Sequence, residues 1–328
     1  MKFFSKLFFL TICFFVTFLH PVNSYPNYDY LFSGGPDGGT FNFFSKGISD
    51  YLNTKLDFKI ETEKSSGSVD NLKKINSRNA DFGITYSGDL YLGRNGLLGG
   101  RSRQHRNVYA LTYLYGAPAH LIVLKDSGIK SVNDLIDKRV AIGKVGSGAS
   151  AAAERFFESM GVWKKMEPQF LGYSEGSEAL IAKQVHALWV FAGFPNPSVT
   201  RAASLENIEI LQVYKEAKEN KNFLEQYPFY QKVIIPAGTY QGIDYDIESF
   251  QDSTLMTASR RVEPKIVKEI LETIYTEEGL AYLVSKKSTA KSMSIDAGTT
   301  GIVTPMHRGA IDFWLEKGKE LTREQTAP

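Results

Sequence analysis

Apolar strand-like runs and amphipathic helical stretches alternate from residue 30 to residue 86, and the same alternation starts again at residue 139. In the first series the patterns predict strands over 30–33, 58–62 and 81–86. Helices are predicted over 40–52, with Phe43, Phe44, Ile48 and Leu52 on one face, and over 68–75. The second series predicts strands over 139–143, 169–171 and 187–191 and helices over 148–160, 177–183 and 198–203. Strand, helix, strand order of this kind is what a doubly wound parallel sheet requires, because parallel neighbours are joined by crossovers. A single core stops growing near this length. The expectation is therefore an α/β chain of two doubly wound lobes joined by a hinge. The second lobe, over 117–255, would be inserted into a first lobe made of 25–116 and 256–328. The chain would enter it through a crossover near 117–124 and return by a strand over 254–258. Helices over 263–276, 279–287 and 305–317 would pack back on the first lobe.

Within that frame two turns resemble each other. Ser33-Gly34-Gly35-Pro36-Asp37-Gly38-Gly39-Thr40-Phe41 follows one strand and opens a helix, and Gly143-Lys144-Val145-Gly146-Ser147-Gly148-Ala149-Ser150 does the same in the second series. A helix start leaves N–H groups without intrahelical partners and carries partial positive charge, so it suits a carboxylate or another oxyanion. In doubly wound sheets the ligand lies beyond the carboxyl ends of the strands, where the turns at 33–41, 64–68 and 86–89 would cluster. Gly39, Thr40, Ser66, Ser68, Ser87, Ser147, Gly148 and Ser150 are the candidate anion-binding residues. Phe41, Tyr86 and Phe191 are the candidate cover for the rest of a ligand, and Tyr115 is a further aromatic near a strand end.

The N-terminus carries Lys2 and Lys6, an apolar stretch over 7–19, and small residues up to Ser24, which is the pattern of a cleaved secretory signal peptide at 1–24. Its loss removes two of 38 basic residues and none of the 36 acidic ones, leaving the charges balanced and giving no reason to expect a nucleic-acid partner. The one cysteine, Cys13, leaves with it, so the mature chain has neither disulfide nor thiol nucleophile. No later apolar run is long enough to cross a bilayer. The stretch 93–107, with Arg94, Arg101, Arg103, His105 and Arg106, reads as a solvated loop sooner than as a basic lid.

Reactive constellations are sparse. Gly172-Tyr173-Ser174-Glu175-Gly176 spells a nucleophile elbow, with Asp244, Asp252, Asp296 and His307 downstream, which makes a serine hydrolase the alternative reading. Ser174 is more simply a helix cap. His20, His105, His120, His186 and His307 show no metal-ligand spacing, and the Gly143 turn lacks the lysine and hydroxyl of a phosphate-binding loop. Recognition without catalysis, cofactor or metal is the expectation.

The ordered motifs carry a family resemblance. Ser33 to Phe41, Ser66-Gly67-Ser68-Val69-Asp70-Asn71-Leu72, Ala80-Asp81-Phe82-Gly83-Ile84, Asp126-Ser127-Gly128-Ile129-Lys130-Ser131 with Asp134-Leu135, and Gly146-Ser147-Gly148 look like those of the TAXI family. Ala192-Gly193, Ile235-Pro236-Ala237-Gly238-Thr239-Tyr240 and Pro305-Met306-His307-Arg308-Gly309-Ala310 continue the match nearly to the C-terminus. These are the solute-binding proteins of tripartite ATP-independent periplasmic (TRAP) transporters. The resemblance implies a type II periplasmic binding protein fold, a periplasmic location, and an organic anion, a carboxylate or an amino acid such as glutamate, handed to TRAP membrane permease subunits. An ABC-type binding protein for another oxyanion is the second alternative. The chain departs from the family pattern where Phe41 replaces tyrosine, Ser65-Ser66 stands for Thr-Gly, Tyr86-Ser87-Gly88 for Gln-Ser-Asp, and Ala149 for threonine. Those departures remove partners for an α-ammonium group and point to a less polar carboxylic acid.

Overall fold

The structure is a computed structural model that describes residues 28–36, 39–99, 103–219 and 221–327. The expected signal peptide, with Cys13 and His20, lies outside the described residues, as do Asp37, Gly38 and Arg101.

The strands are β1 (Tyr30–Ser33), β2 (Ile60–Glu63), β3 (Phe82–Tyr86), β4 (Val108–Leu124), β5 (Arg139–Ala141), β6 (Glu167–Gln169), β7 (Ala187–Phe191), β8 (Ile208–Ile210), β9 (Gln231–Ile235) and β10 (Ile247–Ser259). They form one 10-stranded sheet in the order β2-β1-β3-β10-β4-β7-β5-β6, with β8 beside β4 and β9 beside β10. Each end of it is a parallel trio, β2-β1-β3 and β7-β5-β6, as the two βα series predicted. Between the trios run two long antiparallel strands that belong to both halves. β4 pairs with β10 through Pro118 and with β7 from Ala119 onward. β10 pairs with β9 over its first residues and with β3 over its last.

Those long strands are where sequence reading fell short. It predicted only 120–124 of β4 and 254–258 of β10, and missed β8 and β9. Both long strands are buried on both faces, so they lack the alternation that marks a half-buried strand. β4 also carries Gly116 and Pro118, which punctuate its apolar run. Helix Ser87–Arg94 was read as a turn, and the helix predicted over 177–183 begins four residues earlier, at Tyr173. The 93–107 stretch is not wholly solvated. Arg94 Nη1 donates to the Val108 carbonyl at 2.7 Å and lies over the Tyr109 ring, and His105 is buried.

Packing follows helical periodicity. Helix Pro264–Ile274 opens on proline, whose fixed φ suits the first helical position, and buries Val267, Ile270, Leu271 and Ile274 along one stripe. Helix Thr40–Lys55 buries Phe41, Phe44, Ile48 and Leu52, but Phe43, expected on that face, points outward beneath Lys287. One contiguous core holds Phe32, Phe82 and Trp314 from one half together with Phe156 and Trp189 from the other. A smaller core beneath Ile122, Leu188 and Val199 closes the far face.

Candidate functional site

Four helices begin at one cavity: Thr40–Lys55, Ser68–Asn76, Gly148–Ser159 and Tyr173–Ile181. Its walls are Pro36, Gly39, Thr40, Phe41, Ser66, Gly67, Ser68, Tyr86 and Tyr115 from one half, and Gly143, Lys144, Ser147, Gly148, Ala149, Gly172, Tyr173 and Ala192 from the other. The empty space, counted out to the open mouth, is about 500 Å³.

Asn71 explains the first pair of helix starts. Fully buried, it donates to the carbonyls of Gly34 and Ile84, each at 2.7 Å, and accepts from the Ser33 hydroxyl at 2.9 Å. One side chain thus ties the ends of β1 and β3 to helix Ser68–Asn76. Gly67, at φ 119° and ψ −150°, turns the chain into that helix through backbone space open essentially to glycine alone. Neither Gly39 nor Gly67 has a side chain to cap its helix, so no side-chain cap competes with a ligand for the first N–H groups, of which Asp70 N–H is taken by the Gly146 carbonyl. In the other half, Ser147 caps its helix by accepting from Ser150 N–H, and Trp189 Nε1 holds the Ala149 carbonyl at 3.1 Å.

Of the residues expected at the site, Gly39, Thr40, Phe41, Ser66, Ser68, Tyr86, Ser147 and Gly148 are brought together at this cavity. Three are not. Ser87 gives its hydroxyl to the Gly301 carbonyl at 2.5 Å. Ser150 gives its hydroxyl to the Lys144 and Ser147 carbonyls, both at 3.0 Å, bracing the turn instead of facing the cavity. Phe191 is fully buried behind Tyr86, edge to face at 5.2 Å, and acts through its carbonyl, which accepts the hydroxyls of both Tyr86 and Tyr173. Lys144 and Tyr173 are lining residues that sequence reading missed. Tyr173 was concealed inside the elbow-like motif, and Lys144 stood in a turn examined for phosphate-loop spacing.

Several contacts join the halves around the cavity. Asp70 N–H donates to the Gly146 carbonyl at 3.2 Å, and the Tyr86 hydroxyl reaches the Phe191 carbonyl at 2.6 Å. Behind them Arg155, from helix Gly148–Ser159, meets Asp89, from helix Ser87–Arg94, at 2.9 Å. Arg155 also donates to the Tyr230 hydroxyl, and Asp252 on β10 accepts Gly88 N–H with both oxygens. All four side chains are buried. Burial pushes both carboxyls up, and Asp252 rises further because Asp89 lies beside it, whereas Asp89 has the guanidinium against it. A side chain at position 88 would meet Phe229 and, 2.6 Å away, Asp252 Oδ2, so the aspartate expected there by resemblance has no room.

The elbow reading of Ser174 finds no support. Gly172, not Ser174, is the helix N-cap, with its N–H on Glu175 Oε2 at 2.9 Å, and Ser174 is an exposed first-turn residue. Its backbone is absent from the strained positive-φ positions, which among the described non-glycine residues are Arg78, Asp137 and Lys183. His307 is a buried cap, its Nδ1 accepting from Gly309 N–H.

Among solved structures the chain is similar to MatC from Rhodopseudomonas palustris with bound malate, at a TM-score of 0.55 and 14% identity, covering 92% of this chain and 99% of that one. It is also similar to the periplasmic binding protein BugD, at a TM-score of 0.51 and 12% identity, covering 81% and 88%. These likenesses are of fold: a mixed α/β molecule of the two-lobed periplasmic binding protein type. The NMT1-like family pattern matches residues 32–318, from β1 to just past helix Arg308–Glu316, and the chain therefore belongs to the NMT1-like family.

Proposed function

We propose that the protein is a periplasmic solute-binding receptor that closes two lobes over a small organic anion and delivers it to the membrane subunits of a TRAP transporter. The observation that carries this reading is the convergence of four helix N-termini, two from each half, on one cavity. Lobes over 25–116 with 256–328 and over 117–255 would hinge where β4 and β10 pass between the halves. A ligand touching both lobes favours the closed state by its differential affinity. Hydrogen bonds to a charged group contribute roughly 1.5–3 kcal/mol each. Four or five, less the cost of ordering and closure, suffice for micromolar binding at about −8 kcal/mol. The TRAP assignment rests on the ordered motifs that resemble the TAXI family. MatC, described with malate, illustrates an organic-anion ligand in this fold.

Mass spectrometry of small molecules released on denaturing the purified protein should find a stoichiometric anion, and calorimetry should show that it rebinds unchanged. Release of none, with no heat from a carboxylate library, would dismiss the receptor reading. The permease class is read from neighbouring genes: a large fused permease supports TRAP, and an ATPase gene moves the receptor to the ABC class.

A further inference from the structure

The cavity lining narrows the class of anion, an inference that rests on the receptor reading. Two of the three tyrosines at the cavity present carbon to it, because the Tyr86 and Tyr173 hydroxyls are both committed to the Phe191 carbonyl, at 2.6 and 2.7 Å. Phe41 packs edge to face on Tyr86 at 5.1 Å, and Ala149 and Ala192 extend the apolar wall. Two hydroxyls of the anion-binding turns are also engaged. Ser68 accepts Tyr86 N–H at 2.9 Å, and Ser147 accepts Ser150 N–H at 3.1 Å. The groups left for a ligand are uncommitted N–H groups at the helix starts and hydroxyls of Thr40, Ser66 and Tyr115; the Lys144 ammonium also lines the cavity but lies 3.6 Å from Glu175 Oε1.

Tyr115 is the most telling of these. It is 1% exposed, and its hydroxyl lies beside Thr40 and Thr254 without a well-formed hydrogen bond to any protein group. Buried hydroxyls are ordinarily paired. Tyr115 lines the cavity, and its unpaired hydroxyl can donate to a ligand oxygen there. By contrast, the described lining contains no aspartate, glutamate, asparagine or glutamine to pair a buried ammonium group, and in the adjoining space Glu175 is engaged by Lys144 and Gly172 N–H while Asn196 caps its own helix. Anionic groups are provided for, and a cationic group is given no carboxylate or amide side chain.

We infer that the ligand is a carboxylate with an apolar body and no ammonium group. Its carboxylate rests on the helix starts, its body lies among Phe41, Tyr86 and Tyr173, and one of its oxygens accepts from Tyr115.

The test is calorimetry on protein unfolded, stripped of ligand and refolded, with phenylacetate and phenylpyruvate set against phenylalanine, glutamate and malate. Phenylpyruvate and phenylalanine differ chiefly in the ammonium group. The aryl acids should bind, and phenylalanine should be weaker by about a hundredfold or more, the cost of an unpaired buried charge. Tyr115→Phe should weaken phenylpyruvate by about tenfold, the scale of one hydrogen bond, without lowering the melting temperature. Binding of phenylalanine or glutamate as tight as that of the aryl acids would overturn the inference and leave the receptor reading standing. Asp37, outside the described residues and two positions before Gly39 in the sequence, supplies the control. Loss of such amino-acid binding in Asp37→Asn would identify the ammonium partner and overturn the inference equally. If no carboxylate binds and none is released on denaturation, the receptor reading itself fails.

Discussion

Arg155 and Asp89 form an ion pair at 2.9 Å whose side chains are 9% and 0% exposed, drawn from helices in opposite halves of the sheet. A buried pair does little for net stability as such, but removing one partner strands the other, at a cost of about 3–5 kcal/mol. Arg155→Met should therefore lower the urea-unfolding free energy by that amount. Adding Asp89→Asn should recover part of the loss, giving a coupling energy of about 1–3 kcal/mol in a double-mutant cycle. Additive losses would mean that the pair does not act as a unit. Asp252, facing Asp89, Arg155, Tyr230 and Gly88 N–H, gives the cluster a pH dependence. Its folded pKa lies well above the unfolded value of about 3.9, because of burial first and the Asp89 charge second. The folded state then keeps a proton that the unfolded state has lost, so this group's contribution to stability falls as pH rises from about 4 upward. Asp252→Asn removes that slope. Urea unfolding at pH 4.5 and 7.5 should show the variant gaining on the wild type as pH rises, and an unchanged difference would place the proton elsewhere.

The helix start at Gly148 shows where sequence reading reached and where it stopped. Glycine, hydroxyl and strand-to-helix order made the turns at 33–41 and 143–150 legible, because turn and cap chemistry is local. Which hydroxyls face a ligand was not legible: the Gly301 carbonyl that engages Ser87 is a tertiary neighbour, and the Lys144 carbonyl that engages Ser150 lies in the same turn, whose backbone path residue types alone do not fix. Arg155 and Asp89 escaped notice because they are tertiary neighbours, 66 residues apart in sequence. Gly148 itself was read as a candidate anion-binding residue. The structure adds a packing reason, because a Cβ there would strike the Tyr86 ring and come within 2.7 Å of Asp89 Oδ2. Gly148→Ala should hold the halves apart. Small-angle scattering should show a larger radius of gyration in the presence of ligand than for the wild type, and calorimetry about a tenfold or greater loss of affinity, the equivalent of roughly 1.4 kcal/mol. Wild-type compaction and affinity in the variant would remove this contact from the closure mechanism.

The two-lobed plan was legible because the βα rhythm stops and restarts, but the way the lobes are joined was not. The expectation was a hinge near 117–124, a connector between two separate sheets. Instead β4 and β10 run through both halves as paired, buried strands of 17 and 13 residues. Trp189 on β7 and Trp314 on helix Arg308–Glu316 belong to a single contiguous core, so little could unfold on one side without exposing the other. A bending hinge and cooperative unfolding are compatible here. Bending alters the twist of two strands, whereas unfolding one half would break the hydrogen bonds that β4 and β10 make along both. The chain should therefore unfold in one transition despite its two lobes. On a Trp163→Phe background, Trp189→Phe and Trp314→Phe each leave one of these buried reporters as the sole tryptophan. Each will shift the midpoint by its own truncation, so the comparison is made within each variant, between tryptophan fluorescence and far-ultraviolet circular dichroism in urea. In both variants the two curves should coincide. A fluorescence curve that ran ahead of the dichroism in one variant and behind it in the other would show the lobes unfolding separately.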